Sequence, residues 1–279
     1  MFGSEFSDYP EALIQSLIGM NANYQRNTPH QLTRILQKLF VRIFGIPEIG
    51  FQIRSMYFQK ALKNLTKLHP NNLLDVGSGI GAYVLYLAKR YPLSEVDGWE
   101  IDRAKIRFSQ QFLKNQRISN ATISFADITK SRKITRKYDF ILSIDVLEHI
   151  REYETVVENF FHLLKPDGYL YIHVPHEKQK RYFSRFNHWS HEGHVRVGFN
   201  LSDLKKTLTN TGFTVVSAEF TFGKFGSLAW EINHLLLSRS LLLAGIIYPL
   251  VYVLAVLDLQ VFNRTGLGIA LLARKESAS

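Results

Sequence analysis

The stretch Leu73-Leu74-Asp75-Val76-Gly77-Ser78-Gly79-Ile80-Gly81 carries an apolar strand with one carboxylate into three glycines at alternate positions. A ligand lying across the end of such a strand needs the backbone close, and side chains at Gly77 and Gly79 would obstruct it. A nicotinamide-binding turn has the spacing GxGxxG, with a pyrophosphate on the helix N-terminus. The shorter GxGxG spacing, preceded by an acid on the strand, suits a ligand without a pyrophosphate and disfavours a nicotinamide oxidoreductase. Glu100 lies 19 residues beyond Gly81 at the end of the next apolar segment, where a carboxylate accepts hydrogen bonds from both hydroxyls of a ribose. Asp127, in Phe125-Ala126-Asp127-Ile128, is placed to accept from an adenine amino group.

Two further clusters carry titratable side chains. Asp145-Val146-Leu147-Glu148-His149 combines two carboxylates with an imidazole, and His191 and His194 follow downstream. His194 is the leading candidate for a general base, with His149 as the second, because imidazole titrates near neutrality; the bland reading is that His194 braces the loop before the next helix. Residues 178–194, KQKRYFSRFNHWSHEGH, mix Lys178, Lys180, Arg181 and Arg185 with Tyr182, Phe183, Phe186 and Trp189. Aromatics there can stack on a flat substrate and cations can pair with an anion, or the segment is a solvated loop.

Positioning those groups requires strands that alternate with helices from residue 72 onward. Strands are expected at 73–76, 95–100, 121–125, 138–144, 169–174, 213–220 and 268–274. Helices are expected at 82–90, 103–115, 153–164 and 201–211, with a turn at Lys165-Pro166-Asp167-Gly168. This alternation predicts an α/β fold with a mostly parallel sheet and helices on both faces. Before it, residues 26–67 hold eight cations against one acid, Glu48, and read as two helices, one starting at Thr28-Pro29 and one over about Phe51–Lys67. After it, residues 240–257 run for 18 residues without a charge, with Pro249 near the middle.

The chain of 279 residues, 46% hydrophobic and 21% charged, excludes wholesale disorder and a fibrous protein. Having no cysteine, it has no disulfide, thiolate metal site, iron–sulfur cluster or cysteine nucleophile. The net charge of +10 fits an anionic membrane, nucleic acid or an acidic substrate without choosing among them. The first eleven residues carry Glu5, Asp8 and Glu11, and do not read as a signal peptide.

The segments LLDVGSGIGAY, GWEID, ADI, YDFILSIDVLEHI and LLKPDGYLYIHVP together resemble the successive motifs of class I S-adenosylmethionine-dependent methyltransferases, over residues 72–221 and again at 267–274. The resemblance implies a Rossmann-like seven-stranded sheet with an antiparallel last strand. It also implies that Asp75, Gly77 and Gly79, in a turn shared with Ser78 and Gly81, hold the methionine end of S-adenosylmethionine. By the same matching Glu100 takes the ribose, Asp127 the adenine amine, Ile101 and Ile128 the adenine faces, and Ser143 offers backbone contacts beside the sulfonium. The 145–149 segment resembles a stretch that is chiefly structural in many small-molecule methyltransferases. It also resembles the ubiquinone O-methyltransferases and small-RNA 3′-terminal methyltransferases, where such a carboxylate and histidine can bind a divalent metal. No metal is expected here; were one used, Asp145, Glu148, His149, His191 and His194 would be its ligands.

The expected organisation is an N-terminal helical cap over 1–70, a cofactor-binding core over 71–226, a hydrophobic helical insertion over 227–264, and the last core strand with its tail over 265–279. The insertion must leave and return at one sheet edge, so it is expected to be a helical hairpin near Leu228–Leu237 and Leu241–Leu257. The expected function is methyl transfer to a small acceptor that is lipophilic or membrane-associated, in the cytoplasm with peripheral membrane contact. The insertion is otherwise a lid or a homodimer contact. The alternative function is an RNA methyltransferase using the basic N-terminal segment and the 178–194 loop. No RNA-binding module is recognisable, so a nucleic-acid partner is not expected. A non-enzymatic partner protein on this fold is disfavoured by the intact acids of the cofactor motifs.

Overall fold

The structure, a computed structural model, describes residues 43, 48–65, 69–186 and 193–277. The expected helix from Thr28 and most of the 1–70 segment lie outside the described residues. The chain divides into two compact units. One comprises residues 63–179, 190–219 and 268–279. The other comprises residues 1–62, 180–189 and 220–267.

The first unit is an alternating α/β assembly. In chain order it runs β1 (Asn72–Val76), α2 (Ala82–Arg90), β2 (Glu95–Glu100), α3 (Arg103–Asn115), β3 (Ala121–Phe125), β4 (Tyr138–Ile144), α4 (Tyr153–Leu163), β5 (Leu164–Pro175), α5 (Leu201–Thr211), β6 (Phe213–Thr221) and, after the insertion, β7 (Gly268–Lys275); α1 (Ile49–Lys63) precedes them all. The sheet order is β3-β2-β1-β4-β5-β7-β6. The pairings among β1 to β5 are parallel, and β7 runs antiparallel to β5 with Ile172 opposite Leu271. Buried strands need apolar residues on both faces. Leu73, Leu74, Phe140, Ile141, Leu142, Leu170 and Ile172 supply them. Local chemistry sets the helix ends. Asp102 caps α3 by accepting from Ala104 N and Lys105 N, and Asn200 caps α5 by accepting from Ser202 N. The expected turn at 165–168 is instead carried within β5. Pairing with β4 jumps from Tyr138–Leu164 to Phe140–Tyr169, and Asp167 takes φ +64° to absorb the extra residues.

The order β3-β2-β1 on one side and β4-β5 on the other makes the carboxyl ends of β1 and β4 a topological switch point. Ligands enter an open α/β sheet there. Val76 pairs with both Trp99 and Ser143, which aligns the ends of β1, β2 and β4.

The second unit is helical. It is built from α1 together with α6 (Lys224–Leu237) and α7 (Leu241–Gln260), the two helices of the insertion. Glu48 caps α1, accepting from Gly50 N at 2.8 Å and from Phe51 N. Ile49, Ile53, Met56 and Tyr57 of α1 share a core with Trp230 of α6 and Tyr248, Val251 and Ala255 of α7. The uncharged run ends at Asp258, which is buried nonetheless. Its carboxylate accepts from Gly226 N at 2.9 Å, Gly223 N at 3.1 Å and Tyr57 Oη at 3.0 Å. Burial raises its pKa, and the two backbone donors and Tyr57 oppose the rise. Tyr57 Oη also accepts from Asn263 Nδ2 at 3.0 Å. A Tyr57→Phe variant removes that donor and acceptor together, and should lower stability by about 1–2 kcal/mol in a denaturant titration. An unmoved midpoint would show that the Asp258 network is satisfied without the phenol.

Candidate functional site

The glycine turn begins where β1 ends. Gly77 N and Ser78 N both donate to the Trp99 carbonyl on β2, at 2.8 and 3.0 Å. Gly77 has φ +73°, and a Cβ placed there would sit 2.3 Å from Val146 Cγ2. Within the protein itself, the glycine is required by Val146 after β4, a close approach between two segments of the chain. Gly79 differs from Gly77 in its surroundings. At φ +55° a Cβ would meet nothing within 4 Å, so the glycine opens onto free space that a ligand's atoms can fill.

Three acids lie at or just past the carboxyl ends of β1, β2 and β3, in different states. Asp75 is buried, and its Oδ2 has no hydrogen-bond partner among the described residues. Burial, with the Glu100 charge adding to it, holds its carboxyl well above the ordinary carboxylate range. Glu100, also buried, accepts from the backbone at both oxygens. Its Oε2 accepts from Gly79 N at 2.8 Å, and its Oε1 accepts from Ile101 N at 2.8 Å and Asp102 N at 2.9 Å. Asp127 caps a short 3-10 turn over Ile128–Lys133 through Thr129 N and Thr129 Oγ1 and pairs with Lys130 at 3.3 Å. The Thr129 hydroxyl is the main cause of its lowered pKa. Ile128 is buried beneath this turn, whereas Ile101 stands 65% exposed beside Glu100. An exposed isoleucine next to a buried carboxylate fits the edge of a flat ring system.

Two serines complete the set. Ser78 and Ser143 are buried, and neither hydroxyl has a partner among the described residues. Ser143 is on β4, level with Val76. Buried polar groups are normally paired, and an unpaired one costs about 1–3 kcal/mol. Asp75 Oδ2, Ser143 Oγ and the opening at Gly79 therefore fit a polar ligand that brings donors and positive charge to the end of β1. S-adenosylmethionine has both.

The 145–149 segment follows β4. Asp145 takes φ +54°, uncommon for a residue with a side chain, and is held by His173 through both its backbone and its side chain. Its N–H donates to the His173 carbonyl at 2.9 Å, and its Oδ1 accepts from His173 Nδ1 at 2.8 Å. His173 was not singled out in the sequence. It lies inside the hydrophobic run of β5, and only the pairing of β4 with β5 brings it to Asp145. Glu148 is buried, His149 exposed and His194 between the two, and their ligand atoms all lie within 4.8 Å of one another. His149 Nδ1 faces the Gly193 carbonyl at 3.0 Å, and a carbonyl partner makes that nitrogen the donor. His194 stacks edge-on against His149 at 4.6 Å, with its Nε2 4.0 Å from Glu148 Oε1. Burial lowers the His194 pKa and the neighbouring His149 lowers it further, against an opposing pull from Asp145.

Of the five conditional metal ligands, the structure gathers Glu148, His149 and His194. It turns Asp145 to His173, and His191 lies outside the described residues. A carboxylate with two imidazoles is a donor set that suits a divalent first-row ion.

The 178–194 loop is spent partly on packing within the helical unit. Arg181 lies over the Trp230 ring at 4.8 Å, and Phe186 is buried against the same ring at 5.4 Å. Glu231 accepts from Tyr182 N and Phe183 N. Tyr182 and Phe183 keep exposed rings, and Trp189 lies outside the described residues.

A family described as a methyltransferase domain matches residues 24–218. (S)-coclaurine N-methyltransferase from Thalictrum flavum subsp. glaucum is 31% identical over 108 residues, 38% of this chain and 30% of that one. Phosphoethanolamine N-methyltransferase 1 from Triticum aestivum is 27% identical over 206 residues, 69% of this chain and 38% of that one. The matches thus span about a third of the length of these relatives. Among solved structures, a coclaurine N-methyltransferase bound to N-methylheliamine and SAH aligns with a TM-score of 0.55 at 15% identity, covering 97% of this chain and 96% of that one. The [4+2]-cyclase SpnF aligns with a TM-score of 0.56 at 18% identity, covering 81% and 83%. Likeness at this level speaks for the fold, and one of the two folds serves a cyclase.

Proposed function

Since the chain belongs to the methyltransferase domain family, the class I S-adenosylmethionine-dependent enzymes, we propose that it transfers the methyl group to the nitrogen of a small, lipophilic amine. The observation that carries the choice of nitrogen is that the curated relatives from Thalictrum, Eschscholzia, Papaver and Triticum are named as N-methyltransferases. Support for a lipophilic acceptor comes from the apolar, aromatic makeup of the helical insertion and the 178–194 loop.

When bound, S-adenosylmethionine supplies a methyl group already activated by a sulfonium. We assign its methionine end to Asp75 and the turn from Gly77 to Gly81 with Ser78, its ribose to Glu100, its adenine to Asp127, Ile101 and Ile128, and the vicinity of the sulfonium to Ser143. In the reaction an N–C bond forms as the C–S bond breaks, the bonding pair stays on sulfur, and an amine bearing hydrogen then sheds a proton. The protein's share is alignment and proton removal. His194 Nε2 accepts that proton beside the Glu148 carboxylate, and His149, oriented by the Gly193 carbonyl, holds the His194 ring edge-on.

The test is transfer of labelled methyl from S-adenosylmethionine by the full chain to a panel of apolar amines, phenols and RNA, with and without a chelator. Label is expected in an amine, equally with the chelator present. His194→Ala should slow turnover only about tenfold, because an amine already attacks with its own lone pair. Label confined to phenols or RNA would overturn the choice of acceptor. Loss of transfer on chelation, restored by a divalent ion, would make Glu148, His149 and His194 a metal site. The RNA reading has fewer residues to draw on than the sequence offered it, because Arg181 and Phe186 are committed to Trp230.

A further inference from the structure

Helix α7 is apolar all the way round, yet among the described residues only one side of it is packed into the core. Its inner side places Ala244, Tyr248, Val251, Ala255 and Leu259 in the core of the helical unit. On its outer side, every exposed residue from Leu243 to Leu257 is apolar: Leu243, Ile246, Pro249, Leu250, Val253 and Leu257. The intervals from Leu243 through Ile246, Leu250 and Val253 to Leu257 alternate between three and four residues, so these side chains form one stripe, about 21 Å long at 1.5 Å per residue. Ile246 is 65%, Leu250 58% and Val253 51% exposed; Phe262, just past the helix end, is 88% exposed. Soluble surfaces rarely leave so continuous an apolar strip unless something covers it.

The charges around the strip identify what covers it. Arg239 precedes the helix, Arg264 follows it, and both are exposed. Asp258, the one acid of the helix, points inward and is tied to Tyr57, Gly223 and Gly226. Pairing the stripe with a second copy would set arginine against arginine at both ends, whether the helices ran parallel or antiparallel, with no acid on the exposed face to offset it. A surface of anionic lipid satisfies both ends at once: the guanidinium groups reach the phosphates and carboxylates of the headgroups while the stripe and Phe262 enter the acyl boundary.

Crossing the bilayer is a different matter. The 18 residues from Leu243 to Gln260 are long and apolar enough for it, but a third of them are buried in the protein. The strand that follows, β7, also returns to the sheet that precedes the insertion. One crossing would place β7 on the wrong side of the membrane. We propose that the protein docks on anionic membrane surfaces through the outer face of α7, lying in the interface with Arg239 and Arg264 as its charged ends. This goes beyond the methyl-transfer reading and does not depend on it.

The test uses the full chain with vesicles of phosphatidylcholine alone and of phosphatidylcholine with phosphatidylserine. Flotation should recover the chain at least tenfold better on the mixed vesicles at low salt, with a partial loss at high salt. The triple variant Ile246→Ser, Leu250→Ser, Val253→Ser should lose at least tenfold of that binding while keeping its affinity for S-adenosylmethionine, which separates this proposal from the functional one. The chain has no cysteine, so Leu250→Cys and Lys114→Cys each give a single labelling position that does not rely on the triple variant folding. An environment-sensitive dye at 250 should shift to the blue on mixed vesicles, and the same dye on Lys114→Cys, exposed on α3, should not. Failure of the intact chain to float on the mixed vesicles, equal binding by the triple variant, or an unshifted dye at 250 would overturn the proposal. So would a dye shift without vesicles that follows the appearance of dimer mass by light scattering, which would assign the stripe to a second copy.

Discussion

Glu100→Ala is expected to weaken S-adenosylmethionine binding about 5- to 100-fold in a calorimetric titration, the equivalent of roughly 1–3 kcal/mol. The carboxylate has two functions that the substitution removes together. It accepts from Gly79 N, Ile101 N and Asp102 N, and so fixes the turn and the start of α3 relative to each other. It also places a carboxylate oxygen beside the glycine turn, against Gly79 N, where Gly79 itself faces open space. Glutamine is not a conservative replacement. One carboxylate oxygen takes one backbone donor and the other takes two, and an amide must turn its NH2 toward one of those sets, donor against donor. Glu100→Gln should therefore lie closer to alanine than to the native chain. Unchanged affinity in both variants would remove Glu100 from the cofactor site.

Asp75→Asn should move stability and binding in opposite directions. The folded-state pKa of Asp75 is raised by burial and by Glu100. The sign follows: its contribution to stability is fully present below the ordinary carboxylate pKa of about 3.9 and is lost as pH rises through the higher folded value. At neutral pH the free protein carries the cost of a buried acid whose Oδ2 has no partner among the described residues. Asparagine keeps the shape without the charge, so the free variant should melt higher by about 2–4 °C for each kcal/mol regained. The gap should close as the pH falls toward 4. Binding should fall about 10- to 100-fold, because the ligand's positive charge is what relieves the native carboxylate. Added S-adenosylmethionine should accordingly raise the native melting temperature more than the variant's. A variant that melts lower than the native protein and binds as well would show that Asp75 is a structural acid.

The alternation of apolar strands with amphipathic helices is a local property, written in spacings of two and three to four residues. Because of this β1, β2, β3, β4 and β7 lie within a residue or so of their expected bounds. The three alternating glycines are legible for the same reason, since a positive φ admits few other residues. The chain's own residues also announced the unusual hydrophobic run, and the helical hairpin follows from the need to return to one sheet. What neighbours each of these residues is a different kind of information. No spacing reports that Val146 closes on Gly77, that His173 inside β5 holds Asp145, or that Glu100, expected to take a ribose, accepts from the glycine turn. Those contacts join segments that are 21 to 69 residues apart by number, and pairing across the sheet chooses them. The two sides of α7 make the same point within one helix. With apolar residues on every side its sequence has almost no directional signal, so which stripe is core and which meets the outside was settled by the packing of α1 and α6 against one of them.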